Sequence, residues 1–465
     1  MSTIRTLYSY LQQLSAEKPD KPLMGGGKFW LTARQVLAQV EARALLLREK
    51  GIQQGDYVLL RTRRDLSTAL WILATQAIGA AAVLVDAREN RKEICESIPV
   101  QLVLDSMDMY LPCPTVSSFE DTTPAADAPG LIIFTSGSTG KPKAVMLSQY
   151  NFVNNLLDSQ PLGCYREDDI ALGSLPMDHV FGLVLLAGVC VLGYSIYFPA
   201  ATDIPSILQS IAAEKITRMN GVPSLYLSMA HQAAQFDLSS LRAGFIGGGP
   251  CTEEQFIQIE QALGITLIPV YGMSECIGIA CGNWQAPPEI RRSGAGPFYP
   301  KNNGLILRED GSPAAPGEVG EICVTGPSRM IGYYPDVMPP EQLLQTGDLG
   351  YVDEAGTLHL TGRKKEIIIR NGVNLTPRSI EEALLSIPGV RDGVVVGLPH
   401  PIQGEVPYAM AVSSLTELEL LALLVHRLPK NEIPVGIKIT DHLPRTFSGK
   451  VDKQAVREVL KNWKV

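Results

Sequence analysis

The stretch "IIFTSGSTGKPKAVMLS" runs from Ile132 to Ser148. An apolar run enters it and another leaves it, and between them stand two glycines, a row of hydroxyls and two lysines. Gly137 and Gly140 let backbone N–H groups turn toward one centre and form an anion-accepting concavity. Thr135, Ser136, Ser138 and Thr139 add hydroxyl donors, and Lys141 and Lys143 add charge. This is the chemistry of a phosphate grip. It is not the GxxxxGK[ST] loop, which would need Gly in place of Thr135 and Ser or Thr in place of Pro142. A flexible, solvated turn explains the string less well, because such turns rarely follow a buried strand directly with donors so dense.

On both sides of this loop, strands alternate with helices. Before it, "ARQVLAQVEARALLLREKG" (Ala33 to Gly51) has helical periodicity and a Gly stop. "DYVLLRT", "AAVLVDA" and "VQLVLDS" (Val100 to Ser106) read as strands, with "STALWILATQAIGA" a helix between the first two. After it, "LRAGFIGGGP" (Leu241 to Pro250) is a strand ending in glycines, and "TLIPVYGMSE" (Thr266 to Glu275) is a strand ending in a polar turn. Helices flank both. This alternation predicts βαβ units and a largely parallel sheet, and in open α/β sheets ligands bind at the carboxyl ends of the strands. From about Pro297 to Asp348 the text turns into short strands with Gly and Pro turns. From "GRKKEIIIRNG" (Gly362 to Gly372) onward it reads as a small α+β segment.

The expected fold is therefore α/β. A large N-terminal domain of mostly parallel sheets flanked by helices, with a small β-rich subdomain, occupies residues 1–362. A small α+β C-terminal domain occupies residues 363–465. A length of 465 residues suits two or three domains rather than one core.

Composition narrows the function classes. Hydrophobic residues make up 45% and charged residues 19%, ordinary for a globular chain. A net charge of -8 argues against nucleic-acid binding, which draws most of its affinity from a basic face. Eight cysteines are scattered without a CxxC pair, so buried or free thiols in a reducing cytoplasm are expected. The opening residues lack the apolar core of a secretory signal. "VFGLVLLAGVCVLGYSIYF" (Val180 to Phe198) is long enough to span a bilayer but is isolated and carries three glycines. A buried helix running into a buried strand fits it better, and one apolar run cannot build a transporter bundle. No membrane insertion is expected.

The phosphate-grip string resembles the corresponding loop of the adenylate-forming superfamily, which includes acyl- and aryl-CoA synthetases, nonribosomal peptide adenylation domains and luciferases. Further matches follow in the same order over most of the chain: "LPMDHVFGL", "GVPSLYL", "GGGP", "YGMSE", "GEVGEICVTG", "TGDLG", "GRKKEIIIRNGVNLTP" and "PRTFSGKVDK". The resemblance implies an N-terminal domain that binds ATP and an acid, and a mobile C-terminal domain that closes over it.

By the same resemblance, Tyr271, after which Gly272 follows, stacks on adenine, Ser274 contacts phosphate and Glu275 holds Mg2+. Gly247, Gly248 and Gly249 line the nucleotide site. Asp348 accepts from the ribose hydroxyls and Arg363 contacts the same ribose. Lys450 bridges the acid's carboxylate and the α-phosphate. Lys365 is the pivot of the domain rotation, and Gly372 lies beside the path of the thiol. The acid pocket is expected between "MDHVFG", "MNGVPS", "GGGP" and "MSECIGI", with His179, the Asn220–Gly221 step, Gly248, Met273 and Ile277 on its walls. His179 stands where acyl- and aryl-activating relatives carry an aromatic or His side chain. The substrate expected is therefore a small carboxylic acid without an α-amino group.

The implied reaction is ATP-dependent formation of an acyl-AMP and transfer of the acyl group to a thiol, coenzyme A by preference. The alternative is a free-standing adenylation enzyme loading an acyl, aryl or amino acid onto the phosphopantetheine of a carrier protein. A different class, a catalytically silent nucleotide-binding protein, should have lost Lys450, Glu275 or the loop lysines, and all are present. A monomer or homodimer is expected. Ala144 stands where the superfamily usually has Gly, Glu366 where Asp is common, and the region before the grip is shorter than in many members; none of these removes a catalytic group.

Overall fold

A computed structural model of the chain describes residues 5–88, 97–105, 119, 125–135, 142–445 and 451–463. They divide into two compact units. The first comprises residues 1–248, 257–303 and 324–344, and the second 249–256, 304–323 and 345–465.

The first unit is built on two sheets. One has eight strands in the order β13 (Cys276–Cys281), β12 (Thr266–Met273), β11 (Ala243–Ile246), β10 (Arg218–Gly221), β8 (Ile170–Leu172), β9 (Ser195–Phe198), β1 (Pro22–Gly26) and β2 (Phe29–Thr32). The other has six, in the order β16 (Gly332–Tyr333), β7 (Lys143–Ser148), β6 (Pro129–Thr135), β4 (Ala81–Asp86), β3 (Tyr57–Thr62) and β5 (Val100–Leu104). The interior pairings are parallel, as the βαβ reading requires. The antiparallel pairs are hairpins or edges: β1–β2, β12–β13, β6–β7 and β7–β16.

The helix Leu66–Ala77 packs against β3 and β4 of one sheet and β1 of the other. That placement explains a helix buried on every side, with Trp71 fully enclosed. Asp65 caps it by accepting from the Thr68 amide at 2.9 Å. Beside β8 and β10 a buried ionic cluster fixes the amino ends of the strands. Asp169 pairs with Arg218 at 3.2 Å and also with Arg242, and Arg218 lies 3.7 Å from the centroid of Tyr165. Two buried charges are tolerable only because they meet each other and further donors.

The apolar run from Val180 forms the helix Val180–Val191 followed by β9, a buried helix leading into a buried strand. Among the described residues no helix is long and apolar enough to cross a membrane. The cysteines at 164, 190, 251, 276, 281 and 323 are unpaired, and burial pushes the Cys190 thiol up to about 12. Cys95 and Cys113 lie outside the described residues.

The second unit contains a four-stranded sheet in the order β14 (Asn303–Leu307), β15 (Gly320–Thr325), β17 (Leu344–Val352) and β18 (Leu358–Arg363). Its C-terminal sheet runs β20 (Val373–Leu375), β19 (Ile368–Arg370), β22 (Gly404–Ser413) and β21 (Val390–His400), with β23 (Ile437–Ile439) also on β22. The helices Pro377–Leu385 and Glu417–Leu424 bury Ile380, Leu384, Leu420 and Leu424 in one core with Val395 and Ala409. The helix Lys453–Trp463 sends Val456 and Leu460 into a second core with Val396 and Tyr408.

Candidate active site

The phosphate-grip string begins in β6 and ends in β7. β6 and β7 pair antiparallel up to Thr135 and Lys143, which face each other across the last rung. Ser136, Gly137, Ser138 and Thr139 lie outside the described residues, as do Gly140 and Lys141. The strand leaving the grip thus returns beside the one that enters it. Ile132, Ala144 and Met146 of this hairpin are buried with Leu59 and Val83 of the neighbouring strands.

The "YGMSE" string is the tip of a second hairpin. β12 and β13 pair Tyr271 with Ala280 and Met273 with Cys276, leaving Ser274 and Glu275 as the turn. Both turn residues are buried, each only 8% exposed. A Cβ at Gly272 would stand 2.2 Å from the carbonyl oxygen of Ile277, so only glycine allows the two strands to close here. The Glu275 backbone is pinned as its carbonyl accepts from Met330 N at 2.8 Å.

A third segment joins the two hairpins. The short strand β16 pairs with β7, Tyr333 opposite Val145. The Tyr333 hydroxyl donates to Oε1 of Glu275 at 2.8 Å, and the Lys143 ammonium lies 4.5 Å from the Tyr333 ring centroid. Lys143, Tyr333 and Glu275 thus form one contiguous group, although 132 and 58 residues of chain separate Lys143 from Glu275 and Glu275 from Tyr333 (275 − 143 and 333 − 275). Burial, then the Glu275 carboxylate, holds the Tyr333 hydroxyl above the usual phenol range, so it remains a donor at neutral pH. Sequence reading missed Tyr333. The only signal is an aromatic pair ahead of Pro335, and a two-residue strand has no periodicity to show which partner it will find.

The residues expected on the acid pocket collect at the carboxyl ends of adjacent strands of the eight-stranded sheet. Asn220 and Gly221 end β10, opposite Phe245 and Ile246 of β11. Gly247 follows β11 and donates to the carbonyl of Gly221 at 3.2 Å. Gly248 comes next, and Met273 and Ile277 flank the tip of the β12–β13 hairpin. His179 lies on the segment that leaves β8, the neighbour of β10, and caps the helix Val180–Val191. Its Nδ1 accepts from the Phe181 amide at 3.3 Å, which leaves Nε2 to carry the proton in the neutral ring.

In the second unit, Asp348 on β17 faces Arg363 on β18 across an antiparallel rung. Arg363 Nε stands 2.7 Å from Asp348 Oδ1, the carboxylate almost wholly buried and the guanidinium 58% exposed. Gly249 also belongs to this unit. Lys365 is the middle residue of the turn Lys364–Glu366. Gly372 and Asn371 form the tip of the β19–β20 hairpin with φ of 78° and 51°, the left-handed pair of an Asn-Gly turn. Lys450 lies outside the described residues, and the flanking Arg445 and Val451 pair as an antiparallel bridge.

A buried carboxylate in the β12–β13 turn, joined through Tyr333 to the strand that leaves the donor-rich string, suits an anionic nucleotide at the ends of parallel strands. The chain belongs to the AMP-binding enzyme family: the model of that family matches residues 11–99 and 96–334, and that of the AMP-binding enzyme C-terminal domain matches residues 379–450. It is accordingly an AMP-forming acid–thiol ligase, which activates a carboxylic acid with ATP as an acyl-AMP and passes the acyl group to a thiol.

The chain is 33% identical to a sulfoacetate–CoA ligase of Cupriavidus necator over 81% of its own length and 75% of that protein's. It is 29% identical to a 2-succinylbenzoate–CoA ligase of Bacillus thuringiensis over 98% and 99% of the two chains. Among solved structures, ATP-bound MatB from Rhodopseudomonas palustris shares the fold with a TM-score of 0.87 at 24% identity, covering 98% of this chain and all of that one. The o-succinylbenzoate CoA synthetase MenE of Bacillus subtilis, solved with its acyl-adenylate intermediate, has a TM-score of 0.82 at 25% identity, each chain covered to 97%.

Proposed function

We propose that this enzyme joins a small carboxylic acid without an α-amino group to coenzyme A, using ATP and Mg2+. The observation that carries the reading is the grouping of Lys143, Tyr333 and Glu275, which sets a cation and a buried carboxylate at the mouth of a phosphate-donor loop. Coenzyme A as acceptor is supported by the names of the two ligases above, each of which specifies it.

A carboxylate is a poor acyl donor because its leaving group would be oxide. Attack of a carboxylate oxygen on the α-phosphate releases pyrophosphate and leaves an acyl-AMP, whose leaving group is AMP. Two anions must meet, so catalysis depends on positive charge placed where negative charge builds. The grip and Lys143 hold the phosphates. Lys450 supplies the ammonium between carboxylate and α-phosphate. Asp348 and Arg363 hold the ribose, Tyr271 takes the adenine face and Ser274 a phosphate oxygen, with the Gly247–Gly249 turn beside the nucleotide. His179 presents its Nε2–H at the acid pocket.

The residues present suit a magnesium ion. Among the described residues no three His, Cys, Asp or Glu side chains gather into a cage. Magnesium is held by one or two carboxylates plus substrate phosphates rather than by such cages, and a lone buried Glu275 matches that donor set. When bound, the ion neutralises charge on the phosphates.

In the second step the thiol attacks the acyl-AMP carbonyl and AMP leaves. We assign residues 363–465 as the domain that rotates between the two steps about Lys365, withdrawing Lys450 and bringing in the Gly372 hairpin. Such a rotation is a gating motion of domain scale. The unpaired thiols suit a reducing cytoplasm, and the enzyme works as a monomer or homodimer.

The test is acid-dependent pyrophosphate release by the purified protein with ATP and Mg2+ over a panel that includes sulfoacetate, 2-succinylbenzoate, benzoate and amino acids. Coenzyme A and a phosphopantetheinyl carrier protein are then supplied in separate reactions. A coenzyme A thioester of a non-amino acid is expected. Thioester on the carrier alone, or release with amino acids alone, contradicts the proposal.

A further inference from the structure

We propose that Tyr333 is a positioning residue: its hydroxyl orients the Glu275 carboxylate toward a divalent cation, and its ring holds Lys143 in register with that carboxylate. The inference rests on the reading of Glu275 as the metal-facing carboxylate.

Both contacts are built into the backbone. Tyr333 is fixed by the pairing of β16 with β7, one strand residue away from the mouth of the grip. Glu275 is fixed by the tight β12–β13 turn and by its carbonyl's bond to Met330 N. The phenol therefore meets Oε1 at 2.8 Å between two rigid supports. Tyr333 is the sole described side chain that bonds this carboxylate. One hydrogen bond sets the plane of a carboxylate but does not neutralise its charge, so a buried Glu275 still calls for a cation. Fixing the plane through Oε1 presents Oε2 in one direction, as outer-shell partners do for metal ligands.

The ring serves the other side. Lys143 at 4.5 Å from the centroid lies within cation–π range. A phenol that donates to a carboxylate carries more negative charge on its ring, which strengthens the hold on the ammonium. Tyr333 thereby links the carboxylate and the phosphate-binding lysine, two groups that must face the same triphosphate.

The experiment compares Tyr333→Phe, Tyr333→Leu, Tyr333→His and Glu275→Gln in the full-length enzyme. Mn2+ binding is followed by electron paramagnetic resonance in the presence of a non-hydrolysable ATP analogue, with circular dichroism as the check on folding. Tyr333→Phe should weaken Mn2+ binding by about tenfold, as loss of an outer-shell partner does. It should raise the Mg2+ concentration for half-maximal pyrophosphate release while sparing the KM for ATP. Tyr333→Leu, which removes the ring beside Lys143 as well, should weaken Mn2+ binding likewise and in addition raise the KM for ATP. Tyr333→His, which restores a donor, should bind Mn2+ better than Leu; packing alone would not produce that order. Adding Tyr333→Phe to Glu275→Gln should cost little more than Glu275→Gln alone. Normal Mn2+ binding by Tyr333→Phe, with binding weakened in Glu275→Gln, overturns the inference and leaves the metal reading standing. Normal binding by Glu275→Gln overturns both.

Discussion

The ammonium of Lys453 stands 2.6 Å from a carboxylate oxygen of Glu366 and 3.1 Å from one of Glu381. Glu381 also accepts from Val395 N at 3.0 Å. One cation thus ties the turn that contains Lys365, the helix Pro377–Leu385 and the start of the helix that follows Lys450. Burial pulls the Lys453 pKa down, and the two carboxylates more than offset that pull and leave it raised. A lysine raised in the folded state stabilises fully below its unfolded pKa and loses that contribution as pH rises through the folded one.

Lys453→Met should therefore lower stability at neutral pH by about 1–3 kcal/mol, because two partly buried carboxylates lose their partner. The gap from wild type should narrow above the ordinary lysine range. Guanidinium unfolding at neutral and alkaline pH checks this, and a gap independent of pH contradicts it.

Asp348→Asn should weaken AMP binding about tenfold to a hundredfold, the loss expected for hydrogen bonds to an ionised acceptor. Arg363→Ala should also weaken AMP binding while moving the melting temperature little, because an ion pair with a guanidinium 58% exposed adds little to stability. Calorimetric titration with AMP, beside thermal melts, separates the two effects. Unchanged AMP affinity in both variants contradicts the ribose assignment.

Lys450→Ala should slow acyl-AMP formation by about a hundredfold or more, as for one preorganised charge donor. Thioester formation from supplied acyl-AMP should persist. Equal loss in both half-reactions, measured by single-turnover kinetics, would count against a role confined to the first step.

Lys365→Pro should show the reverse pattern. Proline fixes φ at a turn residue that has to change conformation if the domain pivots there. Adenylation should continue and thioester formation should fail. An intact second step would exclude Lys365 as the pivot.

The parallel strands were legible because their apolar runs alternate with amphipathic helices: Tyr57–Thr62, Ala81–Asp86 and Thr266–Met273 fall where the text places them. The turn at Asn371–Gly372 was legible too, since that dipeptide suits two positive φ values. The Asp348–Arg363 pair was named residue by residue only through resemblance, because nothing in the local text of a turn and a surface arginine shows that the two share a rung. Tyr333 was invisible. Its role depends on which edge a two-residue strand joins, and pairing between distant segments is decided by packing. The Lys453 cluster was missed for the same reason: its three members come from the turn after β18 and from two different helices.

The most direct test of the central claim uses an acid from the panel labelled with 18O in its carboxylate. If that carboxylate attacks the α-phosphate, one labelled oxygen bridges the acyl-AMP and stays with phosphorus when the thiol cleaves the acyl C–O bond. Mass spectrometry should then find AMP heavier by one 18O and pyrophosphate unlabelled. Unlabelled AMP, or label in orthophosphate released together with ADP, would contradict activation through an acyl-AMP.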